Sequence, residues 1–327
     1  MSTTAQEPTT APAPTPAPPT PIKAKQRLGD RVFSGTALAA GIIILVVLAL
    51  VAAFLVIQSL PAFQLDTTDN HILRGESFWV YVWPLVFGTL WASFIALLIA
   101  APIAIGIALF ISHYAHRRLA AFLGYIIDLL AAVPSVVFGL WGGLVLAPML
   151  QPIYVWLNEN ASWVPFFGGQ VSATGKTILT AALVLAVMCI PIMTAICREV
   201  FLQTPKLHEE AALALGSTRW EMVRMAVLPF ARGGMVSAAM LALGRALGET
   251  MAVTMVLSPS AVVSFLVLTA TNPTPIPANI ALAFPEAHGT GVNTLIATGL
   301  ILFVVTFAVN AVARWIVARR AEFSGAN

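Results

Sequence analysis

The sequence predicts an all-α polytopic membrane protein with six membrane-crossing helices, and three observations carry that prediction. Apolar residues make up 59% of the 327 residues and charged residues only 9%, whereas soluble domains carry about 25% charged residues. Six apolar runs are each long enough to cross roughly 30 Å of hydrocarbon. The basic residues gather in alternate connections between those runs, as expected of a membrane protein whose cytoplasmic loops hold its Lys and Arg.

The elements follow in order. Residues 1–33 form a Pro-, Ala- and Thr-rich tail closed by a basic cluster, Lys23, Lys25, Arg27 and Arg31. Residues 1–21 have no periodic apolar pattern and cannot bury a core, so they are expected to be disordered and extended. The tail and the long apolar run after it do not fit a cleavable signal. A membrane domain is expected over 34–320, with its core at 84–316 and a short cytoplasmic tail at 321–327. Hydropathy places the spans near 34–60, 84–111, 119–150, 177–197, 233–257 and 293–316. Pro134, Pro148 and Pro191 fall inside the third and fourth spans, where kinks are expected. The stretch 258–292 is apolar but broken by five prolines, and reads as an outer loop with short re-entrant helices, a seventh span being the alternative.

Orientation follows from charge. With the N-terminus inside, every Lys and Arg except Arg74, Lys176 and Arg245 falls in an inner segment, namely the tail, 112–118, 198–232 or the C-terminus. Both termini are therefore expected in the cytoplasm, with the loop 198–232 on the same side. The net charge of +3 is an orientation signal, so no nucleic-acid partner is expected. Cys189 and Cys197, eight residues apart on one helix, would be about 12 Å apart along the axis, too far to bridge. No metal-ligand spacing appears, and His113 and His116 beside Arg117 and Arg118 read as an interfacial basic cluster. Trp79, Trp83, Trp156 and Trp163 lie near predicted outer boundaries, as an interfacial aromatic belt does.

The most informative run lies in the inner loop: Glu210-Ala211-Ala212, Gly216, then Ala226-Val227-Leu228-Pro229. Its residues predict a short surface helix ended at Gly216. A second helix should start at Ser217 or Thr218 as N-cap, with Glu221 in its first turn. Small residues there would let a partner backbone approach closely. A run of the form Gly169-x5-Gly175-Lys176-Thr177 nearly spells a phosphate-cradling loop. Its spacing is one residue too long, no strand precedes it, and it falls on the outer side, so it is not read as a nucleotide site.

Arg245 and Glu249 stand inside an apolar run, where a charge costs about 2.5–3.5 kcal/mol by insertion scales. At i and i+4 they are expected to share a helix face and to pair. Such a pair serves either helix packing or a water-filled path for an anion, where a cation partly screened by an acid allows release as well as binding. Asp128 is read as the other acid within a span, near its inner end, with a cap or a path as its two readings.

These motifs resemble those of permease subunits of ATP-driven (ABC) importers, whose inner loop forms a coupling helix on the ATPase subunit. Within that group, Arg245-Ala246-Leu247-Gly248-Glu249-Thr250-Met251-Ala252-Val253 resembles phosphate-importer permeases of the PstC type. Pro134 to Gly142, Gly88-Thr89-Leu90, Ala101 to Gly106 and Leu302 to Asn310 extend the resemblance over roughly 84–320. Ala226 replaces the Ile or Val usual in the loop, and the Pro-rich tail lies outside the match.

The resemblance implies the six-helix type I importer permease fold in the cytoplasmic (inner) membrane, in contact with membrane lipid. It implies a translocation path through Arg245, Glu249 and Asp128, and a coupling loop using Glu210, Ala211, Ala212, Gly216, Leu228 and Pro229. It implies four partners: a second permease of the PstA type, two ATPase subunits of the PstB type, and an extracytoplasmic phosphate-binding protein of the PstS type. ATP and Mg would sit on the ATPase, with no catalytic residue, cofactor or metal on this chain. Cargo such as molybdate or sulfate is the alternative within the class. A secondary transporter is the alternative outside it, and would want inverted repeats that the sequence does not display.

Overall fold

The computed structural model describes residues 28–64, 70–73 and 75–321, and is helical through most of them. Of the tail expected over 1–33, residues 1–27 with Lys23, Lys25 and Arg27 lie outside the described residues, as do 65–69, Arg74 and 322–327, while 28–33 begin the first helix. The chain divides into two compact units, residues 1–51 and 52–327. The described part of the first is the leading stretch of helix α1 (Leu28–Gln64), apolar over nearly its whole length.

The second unit holds the remaining elements, beginning with the end of α1. Helix α2 is Phe78–Leu109 and runs on into a single wide π turn at Phe110–Tyr114. Helix α3 is Arg117–Ala131, α4 is Ser135–Trp141 and α5 is Ala147–Ala161, with a π turn at Gly142–Leu146 joining the last two. Helix α6 is Ile178–Leu202, followed by the short α7 (Lys206–Ala214) and α8 (Arg219–Met222). A π turn at Val223–Val227 leads into α9 (Leu228–Gly248), and α10 (Met251–Val256) follows it. Helix α11 is Ile276–Ala283 and α12 is Thr290–Ala321.

Among the described residues six helical stretches are long and apolar enough to cross a membrane: Gly29–Phe63, Phe78–Tyr114, Ser135–Ala161, Ile178–Leu202, Arg219–Gly248 and Thr290–Trp315. The number expected from hydropathy is met, but two spans move. The third is Ser135–Ala161 rather than 119–150, because Pro134 cannot continue a helix and disfavours helical geometry at Val133. Pro134 becomes the extended N-cap of α4, and α3 is set apart as an amphipathic 15-residue helix. The fifth starts earlier than 233 and stops at Gly248 instead of reaching 257. Of the other expected kink sites, Pro148 stands just after the π turn that joins α4 to α5, and Pro191 lies within a continuous α6.

The core is built around α6, the most enclosed span. On α2, Ala92, Ala96, Ala100, Ala104 and Ala108 recur every fourth residue and are all buried. That spacing makes one smooth stripe, against which α6 sets Ala182, Ala186, Met193 and Cys197. Small residues at this seam bring two backbones close, the main attractive device where lipid removes the hydrophobic drive. Helix α4 and the π turn after it use the same device against α10: a Cβ at Gly139 would stand 2.8 Å from Ala252 Cα, and one at Gly143, in the π turn, 2.7 Å from the Met255 carbonyl oxygen.

The segment 258–292 contains no seventh span. It pairs Pro259–Ser260 in parallel with Asn272–Pro273 and then forms α11. Buried Asn272 holds it down: its Oδ1 accepts the Ile178 N–H at 3.0 Å and its Nδ2 donates to the Thr269 carbonyl at 2.8 Å. Thr89 Oγ1 accepts the Ile276 N–H at 2.9 Å, joining α11 to α2. Backbone groups that the prolines leave without helical partners are satisfied here by side chains, as apolar surroundings require.

Candidate functional site

Two places gather the residues singled out by the sequence. The first is the loop after α6. Pro205, extended, starts α7, and Gly216 ends it at φ +84, a conformation that favours glycine. Ser217 Oγ donates to the Ala212 carbonyl at 2.7 Å, satisfying one group that the helix end leaves free. Thr218 then caps α8 in a reciprocal capping box with Glu221, as the spacing predicts. Leu228 and Pro229 open α9 directly after the π turn.

Helix α7 buries none of its residues. Glu210 and Ala211 are exposed, while Ala212 packs on the cluster of Phe201, Val223 and Val227. Around them Leu207 is 75%, Leu215 89% and Trp220 56% exposed. Large apolar side chains exposed on a polar loop make it a candidate surface for contact with another protein or with the membrane. One contact ties the loop back to the membrane helices: His113 Nε2, in the π turn ending α2, lies 3.5 Å from Glu209 Oε1. Ser112 Oγ is 2.7 Å from His113 Nδ1 and fixes the ring. Sequence reasoning missed this pairing, because residues ninety-six positions apart carry no local signal of contact.

The second place surrounds Arg245, in the last turn of α9. Its side chain lines a cavity of about 790 Å³ together with Ile192, Met240, Asn310 and Arg314, between α6, α9 and α12. The expected i, i+4 pair with Glu249 does not form. Helix α9 ends at Gly248, and Glu249 is extended with ψ 124°. The physical reason is local: Glu249 Oε1 accepts the Ala252 N–H at 3.2 Å, so the carboxylate caps the first turn of α10. Glu249 is 9% exposed, whereas Arg245 is open to the cavity. Among the described residues no carboxylate lies within ion-pair distance of Arg245.

Asp128 also needs correction. It sits exposed on α3, outside the six spans, and does not line the Arg245 cavity. Helix α3 faces α6 at Gly124, where an added Cβ would strike the Arg198 guanidinium. The near-match to a phosphate loop is turn geometry. Gly175 has φ +69 with the Ala147 carbonyl where a Cβ would stand, and Thr177 caps α6 by accepting the Thr180 N–H. Cys189 and Cys197 are buried free thiols, as their spacing predicts.

Comparison with known proteins adds to this geometry. The family model described as binding-protein-dependent transport system inner membrane component matches residues 101–322. The chain is 46% identical over 324 residues to the phosphate transport system permease protein PstC 2 of Mycobacterium tuberculosis, covering 94% of this chain and 96% of that one. It is 39% identical over 312 residues to the phosphate transport system permease protein PstC of Mesorhizobium japonicum, covering 91% and 93%. Among solved structures, a bacterial ABC transporter involved in the import of the acidic polysaccharide alginate matches with a TM-score of 0.58 at 17% identity, over 89% of this chain and 99% of that chain. That last likeness is one of fold.

Proposed function

The chain belongs to the family of binding-protein-dependent transport system inner membrane components, and from that premise we propose that it is the permease through which an ATP-driven importer moves inorganic phosphate. The observation carrying this reading is near-full-length similarity to permeases named for phosphate transport, in a chain whose Arg245 opens onto an intramembrane cavity. A guanidinium there lowers the barrier for a phosphate dianion by replacing part of its hydration. Glu249, turned away to cap α10, leaves that cation available while keeping a negative charge near enough to favour release.

The chain itself performs no chemistry and binds no cofactor. ATP and Mg belong to two ATPase subunits of the PstB type, which meet the exposed face around Glu210, Ala211, Leu207 and Leu215. A second permease of the PstA type completes the path, and an extracytoplasmic phosphate-binding protein of the PstS type delivers the anion. Closure of the ATPases moves the α7 loops and rocks the spans between outward- and inward-open forms. The distribution of Lys and Arg supports both termini on the cytoplasmic side.

The test is phosphate uptake by cells whose only copy carries Arg245→Ala, with membrane abundance checked by immunoblot and ATP hydrolysis measured on the assembled complex. Lost uptake at normal abundance and intact hydrolysis supports the reading. Unchanged uptake removes Arg245 from the path. Wild-type uptake of molybdate or sulfate in preference to phosphate overturns the cargo.

A further inference from the structure

The cavity that Arg245 lines has a second cation. Arg314 on α12 contributes to the same wall, with Asn310 one turn before it and Ser237 and Gly244 across from them on α9. Helices α9 and α12 belong to consecutive spans and so cross the membrane in opposite directions. Arg314 therefore shares the end of the cavity near Val236 and Ser237, the end closer to the α7 loop. Ser237 is eight residues before Arg245, about 12 Å along the helix, so the two guanidiniums stand at different depths. The cavity lining contains no carboxylate, and among the described residues none lies within ion-pair distance of Arg314.

Two like charges facing one cavity whose lining holds no carboxylate repel each other and leave a positive potential along it. A mobile anion relieves both. We infer that Arg314, with Asn310 as a neutral donor, is a second phosphate station on the coupling-loop side of Arg245, receiving the anion as Arg245 gives it up. The inference rests on the phosphate-permease reading above. Two stations of moderate strength pass an ion more readily than one strong site, since neither holds it too long. The planar guanidinium fork suits phosphate oxygens, and Asn310, at i−4 on the same helix face, supplies an amide N–H with no charge to add to the trap. An arginine near the end of a span also serves simply as a positive-inside anchor. Arg117 on α3, exposed and outside the cavity, supplies the control for that role.

The experiment reconstitutes the complete transporter in proteoliposomes. It measures uptake of inorganic phosphate and ATP hydrolysis in parallel for wild type, Arg314→Gln, Arg314→Lys and Arg117→Gln. A hydrogen bond to a charged group is worth enough that Arg314→Gln should lower uptake about tenfold or more, with assembly and hydrolysis unchanged. Arg314→Lys should recover part of the loss, and Arg117→Gln should match wild type. Uptake by Arg314→Gln close to wild type overturns the station, as does an equal fall in Arg314→Gln and Arg117→Gln. If Arg314→Gln fails to assemble, Arg314→Lys decides: reduced uptake in an intact complex supports the station and wild-type uptake overturns it. A wild-type complex that moves sulfate or molybdate but not phosphate sinks the phosphate reading instead, and the same variants then judge the station with that anion.

Discussion

His113 Nε2 and Glu209 Oε1 lie 3.5 Å apart, and this is the point where the first residues of α7 touch the end of α2. Both groups are largely shielded, with side-chain exposures of 9% and 23%. The contact gives a displacement of α7 a direct route into the helix that forms half of the central α2–α6 seam.

His113→Ala should therefore loosen coupling without abolishing it. Pairs of this kind contribute about 1 kcal/mol or less, so phosphate moved per ATP should fall no more than about fivefold. The ratio of uptake to hydrolysis in proteoliposomes checks this, and an unchanged ratio makes the contact incidental.

Glu210→Lys should insert and fold normally, since Glu210 is exposed and makes no contact that the fold needs. It should weaken ATPase binding about tenfold or more, as loss of a central interface residue does. Co-purification of the ATPase with the variant measures it, and normal transport would remove Glu210 from the docking surface.

Glu249 separates a cap from a charge. Glu249→Ala removes the acceptor for the Ala252 N–H and should cost about 1 kcal/mol of stability, read as a lower melting temperature in detergent. Glu249→Gln keeps an acceptor oxygen and should melt near wild type. Any loss of uptake in the Gln variant then reports the missing negative charge.

Gly143→Ala should destabilise the seam between the π turn after α4 and α10, because its Cβ would stand 2.7 Å from the Met255 carbonyl oxygen. Overpacking of this kind costs about 1–3 kcal/mol. Gly106→Ala, at a glycine with open space around it, is the control, and equal melting of the two variants would refute the packing account.

Much of this was legible from residue order. Gly216, Thr218 and Glu221 announced the two short helices, because caps and turns act within a few residues. The number of spans followed from composition. The break at Val133–Pro134 was misread because a hydropathy window averages across a proline between two apolar stretches, although Arg117, Arg118 and Asp128 gave α3 an amphipathic pattern. The end of α9 was missed for a different reason. Glu249 caps the helix that follows it, a choice decided by the tertiary fold rather than by an i, i+4 spacing. Arg314 was counted as one more inner positive charge, since only the packing of α9 beside α12 brings it to Arg245's cavity.

The open apolar side chains of the α7 loop carry a consequence for the cell's production of this chain. Leu207, Leu215 and Trp220 stay uncovered for as long as a copy remains unassembled, and such surfaces attract chaperones, proteases and one another. Chain made beyond the supply of its partners is therefore expected to be cleared rather than kept as idle permease, and the half-life of the chain expressed alone checks this.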